Sequence, residues 1–316
     1  MRRFGIEART ACLAITVAWA HAAGNQEPPE GLLPPADRSQ RILEIRQAIL
    51  VKDFEIARNK IEQLSEREPR NFEGPFWLGI LALERQNNYE AIRAFRRAEA
   101  LDPNPYVFKA LGVAYYAVHQ YKLFLLKMNE ALQKQPSDFA PYYYLGRYYD
   151  SELTDFAKAA TYFREALRRN PDHFRSHYYL GYCYEVEQKI DQAEAEYVRS
   201  RELAELQGVK DGLPYQGLAR LRLAADRPAE ALMLARRAVE LGPRDPAGHR
   251  LLARTLGDLG RHAEAASEWK ISAALDPTDS QALYRLYRCY LVLGETEKAR
   301  DTLARYRKIA ALYGTN

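Results

Sequence analysis

The chain has 316 residues, 28% of them charged and 47% hydrophobic, with 22 tyrosines but only 3 methionines and 3 cysteines. Its formal charge is +4, and residues 1–22 supply +2 of that through Arg2, Arg3, Arg9 and Glu7. What remains is close to neutral, which argues against a nucleic-acid partner, because such a partner asks for a dominant basic patch or stripe.

In chain order, the first element is an export signal over residues 1–23. Arg2, Arg3 and Arg9 precede an apolar stretch from Ala11 to Ala20, and small residues follow at Ala18, Ala20, Ala22 and Ala23. A basic start, a short apolar core and an Ala-x-Ala site are the parts of a cleavable signal. The apolar run falls short of the roughly 20 residues that cross a bilayer, although an uncleaved anchor is the rival reading. The expectation is an exported protein, periplasmic or secreted, with cleavage at Ala20, Ala22 or Ala23 and no membrane span afterwards. Residues 24–37 hold Pro28, Pro29, Pro34 and Pro35 and read as an extended linker.

From residue 38 to 313 the chain repeats. Pro69, Pro103, Pro136 and Pro171 keep a step of 33 to 35 residues, and Pro243 and Pro277 lie 34 apart. Each copy carries a Leu-Gly or similar pair, most have an alanine about twelve residues after the second member, and usually a large apolar residue follows four further on. The pairs are Leu78-Gly79, Leu111-Gly112, Leu145-Gly146, Leu180-Gly181, Leu218-Ala219, Leu252-Ala253 and Leu286-Tyr287. Phe95, Phe163, Tyr197 and Trp269 are large residues of the second half of their copies. Such a period signals helix-turn-helix units that bury a face only by stacking. Glycine or alanine in the first helix lets the second approach, the large residue packs toward the neighbouring repeat, and proline ends the unit. The predicted fold is all-α, a right-handed α-solenoid of about eight repeats over 38–71, 72–104, 105–138, 139–173, 174–211, 212–245, 246–279 and 280–313. Between Glu202 and Gly212 the proline is missing and the repeat is about four residues longer, so a longer helix, a loop and a kink in the stack are expected there.

Little in the chain promises chemistry. There is no Gly-rich phosphate loop and no His-Glu-x-x-His or Cys-x-x-Cys pair. His173 and His177 have metal-ligand spacing but no third partner, so no metal, cofactor or catalytic residue is expected, and neither is an enzyme. Cys183 and Cys289 fall at equivalent places three repeats apart, too far to bridge, and read as buried thiols.

These motifs resemble the tetratricopeptide repeat family over about residues 38–313. The resemblance implies a concave groove lined by the first helix of every repeat, with residues three before and one after the Gly or Ala facing a ligand. Those pairs are Ile42/Arg46, Phe76/Ile80, Lys109/Val113, Tyr143/Arg147, Tyr178/Tyr182, Gln216/Arg220, Arg250/Arg254 and Tyr284/Arg288, with Tyr106 and Arg175 flanking them. Arginine forks suit carboxylates, and tyrosines offer apolar area with a polar tip. The implied function is a scaffold or adaptor holding an extended acidic or aromatic-compatible segment of another protein. A carbohydrate-handling role in polysaccharide secretion, with Tyr143, Tyr178, Tyr182 and Tyr284 stacking on sugars, is the alternative. Members that clamp peptide termini use a Lys/Asn/Arg set; asparagine is missing from these positions, so that activity does not carry over.

Overall fold

The computed structural model describes Leu32 and residues 40–313. The signal and the linker therefore lie outside the described residues, except for Leu32, which is fully buried instead of sitting in a loose spacer. The described residues form sixteen α-helices. They are α1 (Gln40–Leu50), α2 (Phe54–Arg67), α3 (Glu73–Glu84), α4 (Asn88–Leu101), α5 (Pro105–Ala117), α6 (Tyr121–Lys134), α7 (Ala140–Ser151) and α8 (Phe156–Arg169), then α9 (Phe174–Val186), α10 (Ile190–Leu206), α11 (Leu213–Ala224), α12 (Pro228–Leu241), α13 (Pro246–Asp258), α14 (His262–Leu275), α15 (Ser280–Val292) and α16 (Thr296–Tyr313). Each odd-numbered helix pairs with the even-numbered one that follows, giving an all-α array of hairpins. No helix among the described residues is long and apolar enough to cross a membrane.

The hairpins close by a common device. Each turn holds one residue in the left-handed region: Lys52, Gln86, His119, Thr154, Gln188, Asp226, Gly260 and Gly294. In most of them the next N–H reaches back five residues, as Asn87 N does to Ala82 O and Lys189 N to Tyr184 O. This geometry satisfies carbonyls that the end of the first helix would otherwise leave open. Asp53, Asn87 and Asp155 then cap the second helix through their side chains. The turn at Thr154 is one residue longer, and there Asp155 N reaches Tyr149 O.

Inside a hairpin the glycine does what the sequence predicts. A Cβ added at Gly79 would lie 2.4 Å from the Phe95 ring, and one at Gly146 2.7 Å from Phe163. The large residue of the second helix thus packs first onto the glycine of its own hairpin, not onto the neighbouring repeat that the spacing predicts. Tyr197 does both, covering Gly181 in its own hairpin and Gly217 in the next.

The helices divide into two compact units, α1–α8 within residues 25–171 and α9–α16 within 172–316. The lengthened repeat lies inside the second unit, and the expected kink is absent. α10 runs 17 residues and ends at Gly208, whose φ is +67°. Its added turn buries Leu203 and Ala204 against Phe174. α11 then packs on both α9 and α10, so stacking continues through residues 200–215. Hydrophobic burial of the extra turn keeps the array in step without the missing proline.

Candidate functional site

The first helices of neighbouring repeats touch within each unit, in the pairs α1/α3, α3/α5, α5/α7, α9/α11 and α11/α13. In these pairs the predicted groove positions of consecutive repeats lie side by side, while α13 and the start of α15 are joined by Arg250 and Asp279. Which of them can meet a ligand depends on what the neighbouring repeat offers, and two tie patterns take many of them out of use.

The first pattern starts three residues before the Gly or Ala. Lys109 Nζ sits 2.5 Å from Asp138 Oδ2, and Arg250 Nη1 lies 2.9 Å from Asp279 Oδ2. Gln216 Nε2 donates to Asp245 Oδ2. All three pairs span 29 residues. Each acceptor is also a turn aspartate at the start of the next first helix, taking Ala140 N, Ala247 N or Ala282 N. One carboxylate therefore caps a helix and receives the preceding repeat's side chain. Lys109 and Asp138 are nearly buried; burial lowers the lysine pKa and Asp138 works against that. Arg175 makes a related tie over the longer repeat, its Nη2 3.0 Å from Asp211 Oδ2.

The second pattern joins the residue one after the Gly or Ala to the residue four after it in the preceding repeat. Arg220 Nε lies 3.1 Å from Glu185 Oε1, and Nη2 lies 3.0 Å from Oε2, a fork on a carboxylate. Tyr197 Oη donates to the same carboxylate at 2.5 Å. The guanidinium stands 5.4 to 6.0 Å from the ring centres of Tyr178, Tyr182 and Tyr197. Burial raises the phenol pKa of Tyr178 and Tyr197, so both stay neutral. In the first unit Arg147 holds the matching place, and its charge acts on Tyr116, four after Gly112.

The predicted site residues therefore separate. Tyr143, Arg147 and Tyr178 are only 6 to 7% exposed. The two tyrosine rings pack on Phe163 and Tyr197, so these three positions are corrected from ligand contacts to packing. Tyr106 is half-buried beneath the Lys109 ammonium, 4.7 Å from its ring centre. Arg175, Arg220 and Arg250 are held by acids, and Tyr182 is half-buried beside Arg220. Arg254, Tyr284 and Arg288 stay exposed. Among the described ion pairs Arg254 has only Asp258, at 4.0 Å, an exposed pair of little strength. Arg288 has no ion pair among those described, and the Tyr284 ring leans on Tyr287 and Tyr306. Among the predicted site residues, the exposed ones thus lie on α13 and α15.

Among the described residues no other constellation competes with these positions. His173 caps α9 and meets Ser176, while His177 Nδ1 pairs with Glu196. Cys183 and Cys289 are buried, unbridged thiols, as the sequence predicts. No group of three or more His, Cys, Asp or Glu side chains suited to a metal ion occurs among the described residues.

Known proteins with this organisation agree on its type. The tetratricopeptide repeat profile matches residues 52–106, 149–204 and 217–270, and a second profile of the same description matches 256–312. The TPR repeat-containing thioredoxin TTL4 of Arabidopsis thaliana is 43% identical over 75 residues, which is 24% of this chain and 11% of that protein. Among solved structures, yeast Tom70 is similar at TM-score 0.62 and 15% identity, covering 98% of this chain and 69% of that one. A tetratricopeptide repeat protein from Parabacteroides merdae is similar at TM-score 0.59 and 16% identity, covering 79% and 97%. At such identities the structures speak for the fold alone, whereas the profile covers more than half of the chain. The chain belongs to the tetratricopeptide repeat family, whose members are protein-binding scaffolds and generally non-catalytic.

Proposed function

We propose that this protein is a non-enzymatic, exported scaffold that binds an extended acidic segment of another protein along the exposed first-helix face of α13 and α15. The observation that carries the reading is the pair of arginines, Arg254 and Arg288, left without a strong acid partner beside exposed Tyr284. Their counterparts Arg147 and Arg220 are buried or forked onto a carboxylate. Exposed guanidinium groups steer and orient an acidic partner, and the tyrosine adds apolar area. Export rests on the N-terminal signal pattern. Nothing favours the carbohydrate alternative, since two of its four tyrosines, Tyr143 and Tyr178, are buried.

The test is a titration of an acetylated, amidated hexaglutamate peptide, labelled with a fluorophore, into the full chain. Arg254→Glu combined with Arg288→Glu should abolish binding while the helical circular dichroism signal stays intact. Unchanged affinity in that variant sinks the assignment. Arg250→Glu is a poor probe, because it also removes the tie to Asp279.

A further inference from the structure

We propose that the space over Gly257 is a carboxylate seat, left open for a glutamate or aspartate side chain of the bound segment and read by Arg288. This rests on the reading of the α13–α15 face as peptide-binding, and it names where one acidic group goes. The argument is a comparison within the molecule. In the fifth and sixth repeats Glu185 stands four residues after Gly181, forked by Arg220, one after Ala219, and bonded by Tyr197, sixteen after Gly181. Register carries each part to the seventh and eighth repeats. Arg288 follows Tyr287 by one, Trp269 lies sixteen after Ala253, and Gly257 lies four after Ala253, where the carboxylate would be. In sequence register the cation is kept, an indole N–H takes the place of the hydroxyl, and only the acid is missing.

Two independent observations support an open seat. A Cβ built on Gly257 meets nothing within 4 Å, whereas one on Gly79, Gly112, Gly146, Gly181 or Gly217 runs into a side chain. Gly257 therefore is not needed for close helix packing, although glycine weakens a helix by about 1 kcal/mol relative to alanine. Its φ is also ordinary for a helix, so no turn requires it. Second, Arg288 is exposed with no described ion pair, while Arg220 in the matching place is fixed. The sixth repeat shows the contrast. In register, the residue matched to Arg254 is Leu223, a partly buried apolar residue packed against the core of these repeats, where Glu185 stands for Arg220. The seat is thus specific to the last two repeats. A glutamate side chain rather than a chain terminus is favoured, because the internal stand-in is itself a glutamate side chain reaching across from the first helix of the preceding repeat.

The experiment fills the seat from inside. In the full chain, Gly257→Glu should pair with Arg288 and weaken binding of the labelled hexaglutamate peptide about tenfold, the value of one charge-assisted contact. Gly257→Gln, of the same shape, should weaken it less than about threefold. Ser267→Glu, which adds the same charge on the exposed surface of α14, should act like wild type. Arg288→Gln should also lose about tenfold, and Gly257→Glu should add nothing further in that background. The melting temperature of Gly257→Glu should exceed that of Gly257→Gln only while Arg288 is present. Equal effects of Glu and Gln, or additive losses with Arg288→Gln, overturn the seat while leaving a peptide-binding face in place. A wild-type chain that ignores the peptide overturns that face, and the melting comparison still decides the seat. Stronger binding by a peptide with glutamines and a free C-terminus than by the blocked glutamate peptide assigns the seat to a terminal carboxylate and overturns the side-chain proposal.

Discussion

At the scale of single residues, the ties that fix this protein are charged groups taken out of water. Asp150, at the end of α7, is the extreme case: it is 6% exposed and its Oδ1 accepts no hydrogen bond. Burial pushes its pKa up to about 6, against which Arg147 works only in part. The folded chain keeps this proton up to about pH 6, while the unfolded chain releases it near the ordinary value of 3.8. Folding therefore takes up a proton between those values, and stability falls as pH rises through that window. Asp150→Asn removes the ionisation. It should stabilise the chain by about 2–3 kcal/mol at pH 7.5 and leave it nearly unchanged at pH 3.5. Denaturant titrations at the two pH values check this; a variant less stable than wild type at pH 7.5 would contradict it.

At the scale of elements, each hairpin is built from two packed helices and one left-handed residue. Six of the eight turns use a residue other than glycine at that place, where an L side chain crowds the following carbonyl oxygen. Gln188, between α9 and α10, is exposed, so its side chain contributes little to packing. Gln188→Gly should raise stability by about 0.5–1 kcal/mol, and a chemical denaturation curve shifted downward would refute it. These turns show what the sequence conceals. The Leu-Gly pairs and the prolines announce the helices because glycine and proline have few structural alternatives. Lys52, Gln86, His119 and Gln188 give no such signal, since their type does not require a positive φ. The same holds for the groove: the spacing places Tyr143, Tyr178 and Arg250 on the first-helix face. Only the neighbouring repeat decides that Tyr178 packs on Tyr197 and that Arg250 meets Asp279. The recurrence of a turn aspartate 29 residues after Lys109, Gln216 and Arg250 was visible in the sequence, but its meaning required adjacent helices in space.

At the scale of the whole molecule, charge is distributed unevenly along the chain. Residues 280–313 hold seven cations against three acids, a net +4 equal to the formal charge of all 316 residues. Two of those acids, Glu295 and Glu297, are engaged by Lys298 and Arg300. Arg285, Arg288, Arg305, Arg307 and Lys308 are exposed, without a described ion pair. The last hairpin is then a positive end on an otherwise balanced chain, which is a device for capture more than for grip. Charges of this kind act over the screening distance, about 10 Å at 0.1 M salt and about 3 Å at 1 M. Association with an acidic peptide should therefore slow about tenfold between about 0.05 and about 0.5 M salt, with dissociation changing much less. Arg305→Gln, Arg307→Gln and Lys308→Gln together should slow association and flatten its salt dependence while leaving the dissociation rate near wild type. Arg288→Gln should instead speed dissociation, because it removes a contact made in the complex. Stopped-flow measurements over that salt range separate the two effects. An association rate indifferent to salt would mean that the positive end plays no part in encounter.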